Sequence, residues 1–358
     1  MRSYSTAAEL NKLPPGFPTL FKGYGIWSPS DFGGPKDYQS ILNPFDIAQI
    51  EAALRHFQSL LVSIDSVSRD NFPLAPELAS KLKSVSKVVH NGRGFVVLRG
   101  LNPLKYTPQE NVIIYCGICS YVAEQRASMI HICDRADGDQ GAGSRAKFPP
   151  NETTIAMDFH TDVDAGDILS LYTLGMPEEG GNQHLVSFST VYNDLAENDP
   201  QVLSALAKNW RYEMPIQNGV RIIERPIISF IDGHLEVNFA TAFLTGSAHV
   251  RRLPGGPSVT EEQVRAIQVF LATCKKHSLA LDQTYGDMLF VNNMSILHAR
   301  EKFVNNVAKG RRRHLLSVML RDPNMAWPKP VNIDQYIEEK FAQPEQFRLI
   351  RSANDRHD

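Results

Sequence analysis

The feature that most limits the fold is a set of short apolar runs with strand character, bounded by turn residues and concentrated after residue 150. Ile168–Leu174, His184–Phe188, Met288–Val291 and Leu315–Leu320 are each too short for a core helix, and their composition suits a pleated surface. Phe95–Gly100 and Leu279–Leu281 add two more. Arg221 to Phe239 reads as two strands joined at Asp232-Gly233, a tight-turn dipeptide. Pro177–Gly181 and Tyr285-Gly286-Asp287 are turns.

Helical periodicity occupies the first third and the gaps. Ile47, Ile50, Leu54, Phe57, Leu61 and Ile64 recur at spacings of three and four, which predicts a helix through Ile64. A second helix follows Pro76, with Leu78, Leu82, Val85 and Val89 on one side and Asn91-Gly92 as its stop. Thr107 and Glu110 form a capping box for a third, and Thr260 with Gln263 opens another. Thr190 to Leu206 reads as helix broken at Pro200, and the tail beyond Asp322 is Pro-rich, then weakly helical near Ile337. Helices first, then many short strands with helical inserts, predict an α+β fold: an antiparallel sandwich or jelly roll wrapped by helices. The Pro- and aromatic-rich residues 1 to about 45 are expected to pack as an irregular arm, since disordered tails are usually aromatic-poor. Residues 134–152, Gly-rich and without period, read as a lid or a disordered insert, and the lid is preferred.

Composition narrows the function classes. A net charge of -2 gives no support to a nucleic-acid or acidic-membrane partner. Four cysteines in 358 residues do not make a disulfide framework. Cys116-x-x-Cys119 has no second pair and lies in an apolar helical stretch, so it reads as core. No secretory h-region or membrane-length apolar run occurs, and a cytoplasmic protein is expected.

The chemistry is carried by Phe159-His160-Thr161-Asp162-Val163. Residues i and i+2 of a strand leave the same face, so His160 and Asp162 can bind one metal ion. An H-x-D tripeptide alone is weak. Ile296-Leu297-His298-Ala299-Arg300 supplies a second histidine at the end of another apolar run. Two histidines and one carboxylate with open positions opposite suit a non-heme Fe(II) oxygenase. Asp158, Asp164 and Asp167 read as solvated loop residues, and His131, His184, His234 and His249 as structural.

The segments FHTDVD (159–164), GDMLFVNNMSILHAR (286–300) and RRRHLLSVMLRDP (311–323) resemble, in this order, the taurine/chlorophenoxyacetate dioxygenase family, especially its clavaminate-synthase-like fungal branch. Phe95–Gly100 matches an early segment of that family, and the resemblance spans roughly residues 90 to 325. It implies a double-stranded β-helix (jelly roll), Fe(II), O2 and the co-substrate 2-oxoglutarate. His160, Asp162 and His298 become the iron ligands. Arg313 becomes the clamp on the distal carboxylate of 2-oxoglutarate, with Arg311 and Arg312 close enough to compete for that role and two of the three expected in a solvated turn. Gln183 stands where the family often carries a small hydroxyl residue. Ser317 stands where many members carry an arginine, so the substrate should differ from taurine. An aspartate at position 162 argues against a halogenase.

The whole chain is then expected to be one oxygenase domain: an arm with helices over 1–90, the core over 90–325 and a tail over 326–358. The implied reaction is oxidation of an unactivated C–H bond of a small metabolite, by hydroxylation, desaturation or ring closure. Secondary metabolism or amino-acid-derivative metabolism is the expected setting. The alternatives are a non-catalytic jelly-roll protein that binds a metal or small ligand, and a metal-dependent hydrolase, which would need no O2.

Overall fold

The structure is a computed structural model, described here for residues 13–135, 148–216 and 219–342. Four layers stack as helices, sheet, sheet, helices. In chain order the first half contributes β1 (Gln39–Ile41), α1 (Pro44–Ser59), α2 (Pro76–Asn91), β2 (Phe95–Arg99), α3 (Pro108–Val122), β3 (Gln125–Arg126), β4 (Ile130–Cys133), β5 (Met157–His160) and β6 (Ile168–Gly175). There follow β7 (Glu179–Gly180), β8 (Gln183–Ser187), α4 (Phe188–Asn198), α5 (Pro200–Leu206), β9 (Trp210–Ile216), β10 (Gly219–Arg225), β11 (Ile228–Ile231), β12 (His234–Val237) and α6 (Thr241–Thr245). The rest is α7 (Glu261–Lys276), β13 (Leu279–Ala280), β14 (Met288–Asn292), β15 (Ile296–Arg300), β16 (Phe303–Val304), β17 (His314–Arg321) and α8 (Val331–Phe341).

The larger sheet runs β1-β2-β14-β6-β17-β3, with β4 also on β17; the smaller runs β13-β8-β15-β5. Every pairing in them is antiparallel except β1 with β2. Burial on both faces explains why the strands read as continuous apolar runs. Along β14, Met288 and Phe290 enter the core under α1, α2 and α3, while Leu289 and Val291 enter the core between the sheets. Leu185 and Ile296 meet them there from the smaller sheet. Val186 and Leu297, pointing the other way, pack with α4, α5 and α7.

Several expectations hold locally. The Thr107/Glu110 and Thr260/Gln263 capping boxes both form. Asp232 and Gly233 have φ of 48° and 83°, the left-handed pair that the β11–β12 hairpin turn requires. Cys116 and Cys119 are buried in α3, and no disulfide joins the four cysteines. In the arm, Trp27 and Tyr38 pack at a tilt against Phe95, with ring centroids 5.4 and 5.6 Å away.

Other expectations give way. α1 ends at Ser59, not Ile64: Leu61 turns left-handed (φ 54°) and is 91% exposed, so its apolar character is not spent on the core. Ile64 instead begins a 3-10 turn. The region around Arg221–Phe239 holds three strands, because β10 pairs back onto β9. Asp164 and Asp167 are not solvated. Both are buried, and both are ion-paired: Asp164 to Arg225 (2.7 Å) and Arg221 (3.2 Å), Asp167 to Lys329 (2.7 Å). Burial of a carboxylate requires such partners, and these lie 57 or more residues away, outside any local pattern. Most of the expected lid falls on residues 136–147, outside the described residues. Among the described residues, no helix is long and apolar enough to cross a membrane.

The Asp167–Lys329 pair supports a stability test. The Lys329 side chain is fully buried, so Lys329→Met leaves Asp167 with only the longer Arg321 contact at 3.9 Å and should cost about 3 kcal/mol in urea unfolding. Adding Asp167→Leu should recover most of that loss. Single-variant stability equal to wild type would contradict this account.

Candidate metal and co-substrate site

Alternation along the smaller sheet builds the site. On β15, Leu297 and Ala299 face the outer helices, so His298 and Arg300 face the interior between the sheets. His298 pairs across the ladder with His160 on β5, and their rings lie 4.1 Å apart. Asp162 follows where β5 opens into a loop. One donor atom from each of His160, Asp162 and His298 lies within 4.8 Å of the others, the one such three-residue cluster among the described residues. All three residues fall in the intermediate range of burial.

Each donor is prepared for a cation. The His160 Nδ1–H donates to the Asp158 carbonyl at 2.7 Å, which leaves the Nε2 lone pair free. His298 Nδ1 is buried without a hydrogen-bond partner. Burial and the neighbouring His160 hold the His298 imidazole well below its ordinary pKa, so it stays neutral with one ring nitrogen's lone pair available. Burial pushes the Asp162 carboxyl up, opposed by the His160 and Lys340 charges. A desolvated carboxylate beside two imidazoles is a donor set that a divalent cation would complete.

Asn293, in the turn between β14 and β15, holds the loop. Its Oδ1 accepts from the Asp162 N–H (2.9 Å), and its Nδ2 donates to the carbonyls of Asp162 (2.8 Å) and Gly166 (3.0 Å). Thr161 is tied to Phe239 by a reciprocal pair of hydrogen bonds at 2.8 and 3.0 Å. Asn293→Ala should therefore weaken Fe(II) binding by roughly 10- to 100-fold without touching a ligand. Wild-type affinity in that variant, measured by metal titration, would show that the loop does not need the anchor.

Three arginines precede β17, and the structure separates them. Arg311 is exposed and reaches the Tyr285 hydroxyl at 3.3 Å. Arg312 is half-buried, not fully solvated as expected, and donates to the Asp134 carbonyl at 2.9 Å. Arg313 is 5% exposed, and no carboxylate among the described residues pairs with it. Its Nη1 is buried without a partner. Burial and the nearby Arg300 charge bring its pKa down to about 9. Arg313 continues the inward-facing set Leu315 and Met319.

Gly180 and Gly181 let the β7 turn pack closely beside it. Both have positive φ (68° and 77°); a Cβ on Gly180 would strike the Lys302 carbonyl at 2.2 Å, and one on Gly181 would press on Arg313 Cδ at 3.4 Å. Gln183 is buried and sits opposite Arg300 in the β8–β15 ladder, on the same inner face as His298. Ser317 is also buried.

Sequence reasoning missed Arg300. Its Nε and Nη1 are buried without partners, while Nη2 donates to the carbonyls of Pro150, Thr153 and Ile155. The guanidiniums of Arg300 and Arg313 lie 5.0 and 5.4 Å from the Phe303 ring centroid. Strand alternation from His298 could have flagged Arg300; nothing local could have flagged Asn293. The other histidines are structurally engaged. His131 meets His314 at 3.0 Å, His184 meets Glu301 at 2.9 Å, His234 stacks on Trp327, and His249 donates to the Phe148 carbonyl.

Known proteins place this geometry in a family. The model of the family described as "Taurine catabolism dioxygenase TauD, TfdA family" matches residues 56–319. A taurine hydroxylase-like protein, SAT17, of Stachybotrys chartarum is 34% identical over 335 residues, covering 88% of this chain and 83% of that protein. The FR-33289 synthase of Streptomyces rubellomurinus is 22% identical, covering 84% and 90%. Among solved structures, asparagine oxygenase in complex with Fe(II), 3-hydroxyasparagine and succinate superposes with a TM-score of 0.62 at 15% identity, covering 80% of this chain and 94% of that one. The non-heme iron oxygenase OrfP, in complex with Fe, succinate and 3-hydroxy-arginine, gives 0.57 at 13% identity, covering 79% and 93%. These two show a shared fold. On the match of its own sequence, this chain belongs to the taurine catabolism dioxygenase TauD, TfdA family.

Proposed function

We propose that the chain is an Fe(II)- and 2-oxoglutarate-dependent dioxygenase with a double-stranded β-helix core. His160, Asp162 and His298 hold the metal, and Arg313 with Gln183 holds the distal carboxylate of 2-oxoglutarate. The observation that carries this reading is one interior face that holds two complementary charge sites. A clustered His-Asp-His donor set suits a divalent cation, and the buried Arg313 guanidinium, paired with no carboxylate among the described residues, suits an anion. A guanidinium fits the second need because it offers two parallel donors to one carboxylate. The Gln183 amide can donate beside it.

The metal, when bound, supplies O2 activation coupled to oxidative decarboxylation of 2-oxoglutarate to succinate and CO2. The chain contributes placement. His160 keeps its orientation through the Asp158 carbonyl, Asn293 fixes the Asp162 loop, and Arg313 sets the depth of the co-substrate. The organic substrate is a small metabolite, and its position relative to the metal decides between hydroxylation, desaturation and ring closure. The names of the relatives, a synthase of a Streptomyces product and oxygenases crystallised with hydroxylated amino acids, support secondary or amino-acid-derived metabolism. We place the enzyme in the cytoplasm, where reducing conditions preserve thiols and ferrous iron.

The test is succinate formation from 2-oxoglutarate by the purified protein with Fe(II), with and without O2. Aerobic succinate release, lost under anaerobic conditions, is expected. Turnover of an ester or amide without O2 would favour a metal-dependent hydrolase instead. Metal binding with no 2-oxoglutarate consumption would favour a non-catalytic binding protein.

A further inference from the structure

Arg300 faces the same interior as His298 and Arg313, and the proposed function leaves it without a task. The residue is 6% exposed. A guanidinium carries five N–H donors. Nη2 spends its two on backbone, reaching the carbonyls of Pro150 (3.3 Å), Thr153 (2.9 Å) and Ile155. Those carbonyls belong to the strap over 148–156 that leads into β5 and so into His160. The strap has a second tie to the same region, because the Phe303 N–H donates to the Thr154 carbonyl at 3.1 Å. The three remaining donors of Arg300, on Nε and Nη1, are buried and meet no acceptor.

A cation this deeply buried needs an anion, and the nearby carboxylates do not supply one. The Asp134 charge reaches Arg300, but no ion pair or hydrogen bond joins the two. Glu301, the next residue along β15, accepts from Asn182 at 2.8 Å and meets His184 at 2.9 Å. Glu152 of the strap pairs with Arg135 at 3.3 Å.

The closest cation deepens the imbalance. Arg313 is equally buried, and its Nη1 also lacks a partner. The two guanidiniums share the Phe303 ring, at 5.0 and 5.4 Å from its centroid, and Arg300 repels the Arg313 charge. Gln183, directly opposite Arg300 in the β8–β15 ladder, stands at the same end of the interior. Two desolvated guanidiniums, neither bonded to a carboxylate among the described residues, would be costly to keep side by side for the fold alone. One anion between them would answer both.

We propose that Arg300 is a second binding residue for the distal carboxylate of 2-oxoglutarate. Its Nε and Nη1 donors grip the anion together with Arg313, while Nη2 keeps the strap in place. This rests on the proposed function, since it takes the Arg313 site to be the co-substrate site. The pocket thereby selects on the charge of the co-substrate tail more strongly than one arginine could.

The experiment is isothermal titration calorimetry on full-length protein loaded with Fe(II), without O2. The probes are 2-oxoglutarate and 2-oxopentanoate, which keeps the 2-oxoacid head and lacks the distal carboxylate. Arg300→Gln should weaken 2-oxoglutarate binding about 10-fold or more, as expected for loss of charge-assisted hydrogen bonds, and leave 2-oxopentanoate binding near wild type. Arg300→Lys keeps the charge with fewer fixed donors, so it should weaken 2-oxoglutarate binding less than Arg300→Gln does. It also carries the test if the glutamine variant does not fold: weakening for 2-oxoglutarate alone is expected of it. A role confined to holding the strap predicts equal weakening for both probes. That result, or unchanged 2-oxoglutarate affinity, or equal loss in the lysine and glutamine variants, would overturn the proposal. A wild type that binds both oxoacids alike would count against the co-substrate reading itself, and this inference with it. A wild type that prefers 2-oxoglutarate and loses that preference in Arg313→Met, joined to an Arg300→Gln variant that binds as wild type does, would remove this inference alone.

Discussion

Asp162→Ala is expected to reduce Fe(II)-dependent succinate formation below detection, and His160→Ala to do the same. Asp162 supplies the only negative charge among the three clustered donors. Without it the site offers two imidazoles alone, which suit ferrous iron poorly and leave it outcompeted by softer metals. Loss of His160 removes one of two cross-strand donors whose rings are 4.1 Å apart, so no neighbour can replace it. The fold should survive both changes. Removing a desolvated carboxyl relieves a burial cost, so the metal-free Asp162→Ala protein should unfold at or above the wild-type temperature. Stabilisation by added Fe(II) should disappear in both variants. Near-wild-type turnover in both would sink the metal assignment.

Arg313→Met is expected to separate stability from function. Breaking one side of a buried charge pair costs about 2–5 kcal/mol, so the 2-oxoglutarate KM should rise by roughly 30-fold or more. In the free protein the same guanidinium is buried, depressed to about 9 and without a carboxylate partner among the described residues. Replacing it with an apolar chain of similar length should therefore raise the unfolding temperature before co-substrate is added. That pattern is the signature of a charge kept for a ligand rather than for the fold. Arg311→Ala should leave the KM near wild type, because Arg311 is exposed and bonded to Tyr285. If Arg311→Ala or Arg312→Ala raises the KM while Arg313→Met does not, the clamp lies elsewhere in the triplet.

The difference between Arg313 and its neighbours shows how far sequence carries. Three consecutive arginines are chemically alike, and a one-residue shift changes which face a side chain takes. The pattern of β17 settles the direction, with Leu315 and Met319 inward and Leu316, Val318 and Leu320 outward. The burial that distinguishes Arg313 comes from elements far away in the chain: Phe303 under the guanidinium, Gly181 beside the aliphatic stem, and Arg300 nearby. Asp164 and Asp167 failed for the same reason. A carboxylate in a Gly-containing loop looks solvated until its arginine and lysine partners arrive from β10 and from beyond β17.

The sequence by itself determined the elements and the donor types. Apolar period, capping boxes and turn dipeptides are local, because they reflect bonds within a few residues of the chain. His160 and His298 were legible for a related reason: strand alternation fixes the face of a side chain before its neighbours are known, whereas Asp162 lies in the loop past the end of β5. The tertiary structure decided everything that depends on charge balance. Asn293 holds the Asp162 loop, Arg300 sits with Arg313, and α8 returns from the tail to lay Phe341 on Gly166. Burial and pairing of charges are properties of the whole packed chain, since desolvation by one segment has to be answered by a partner from another.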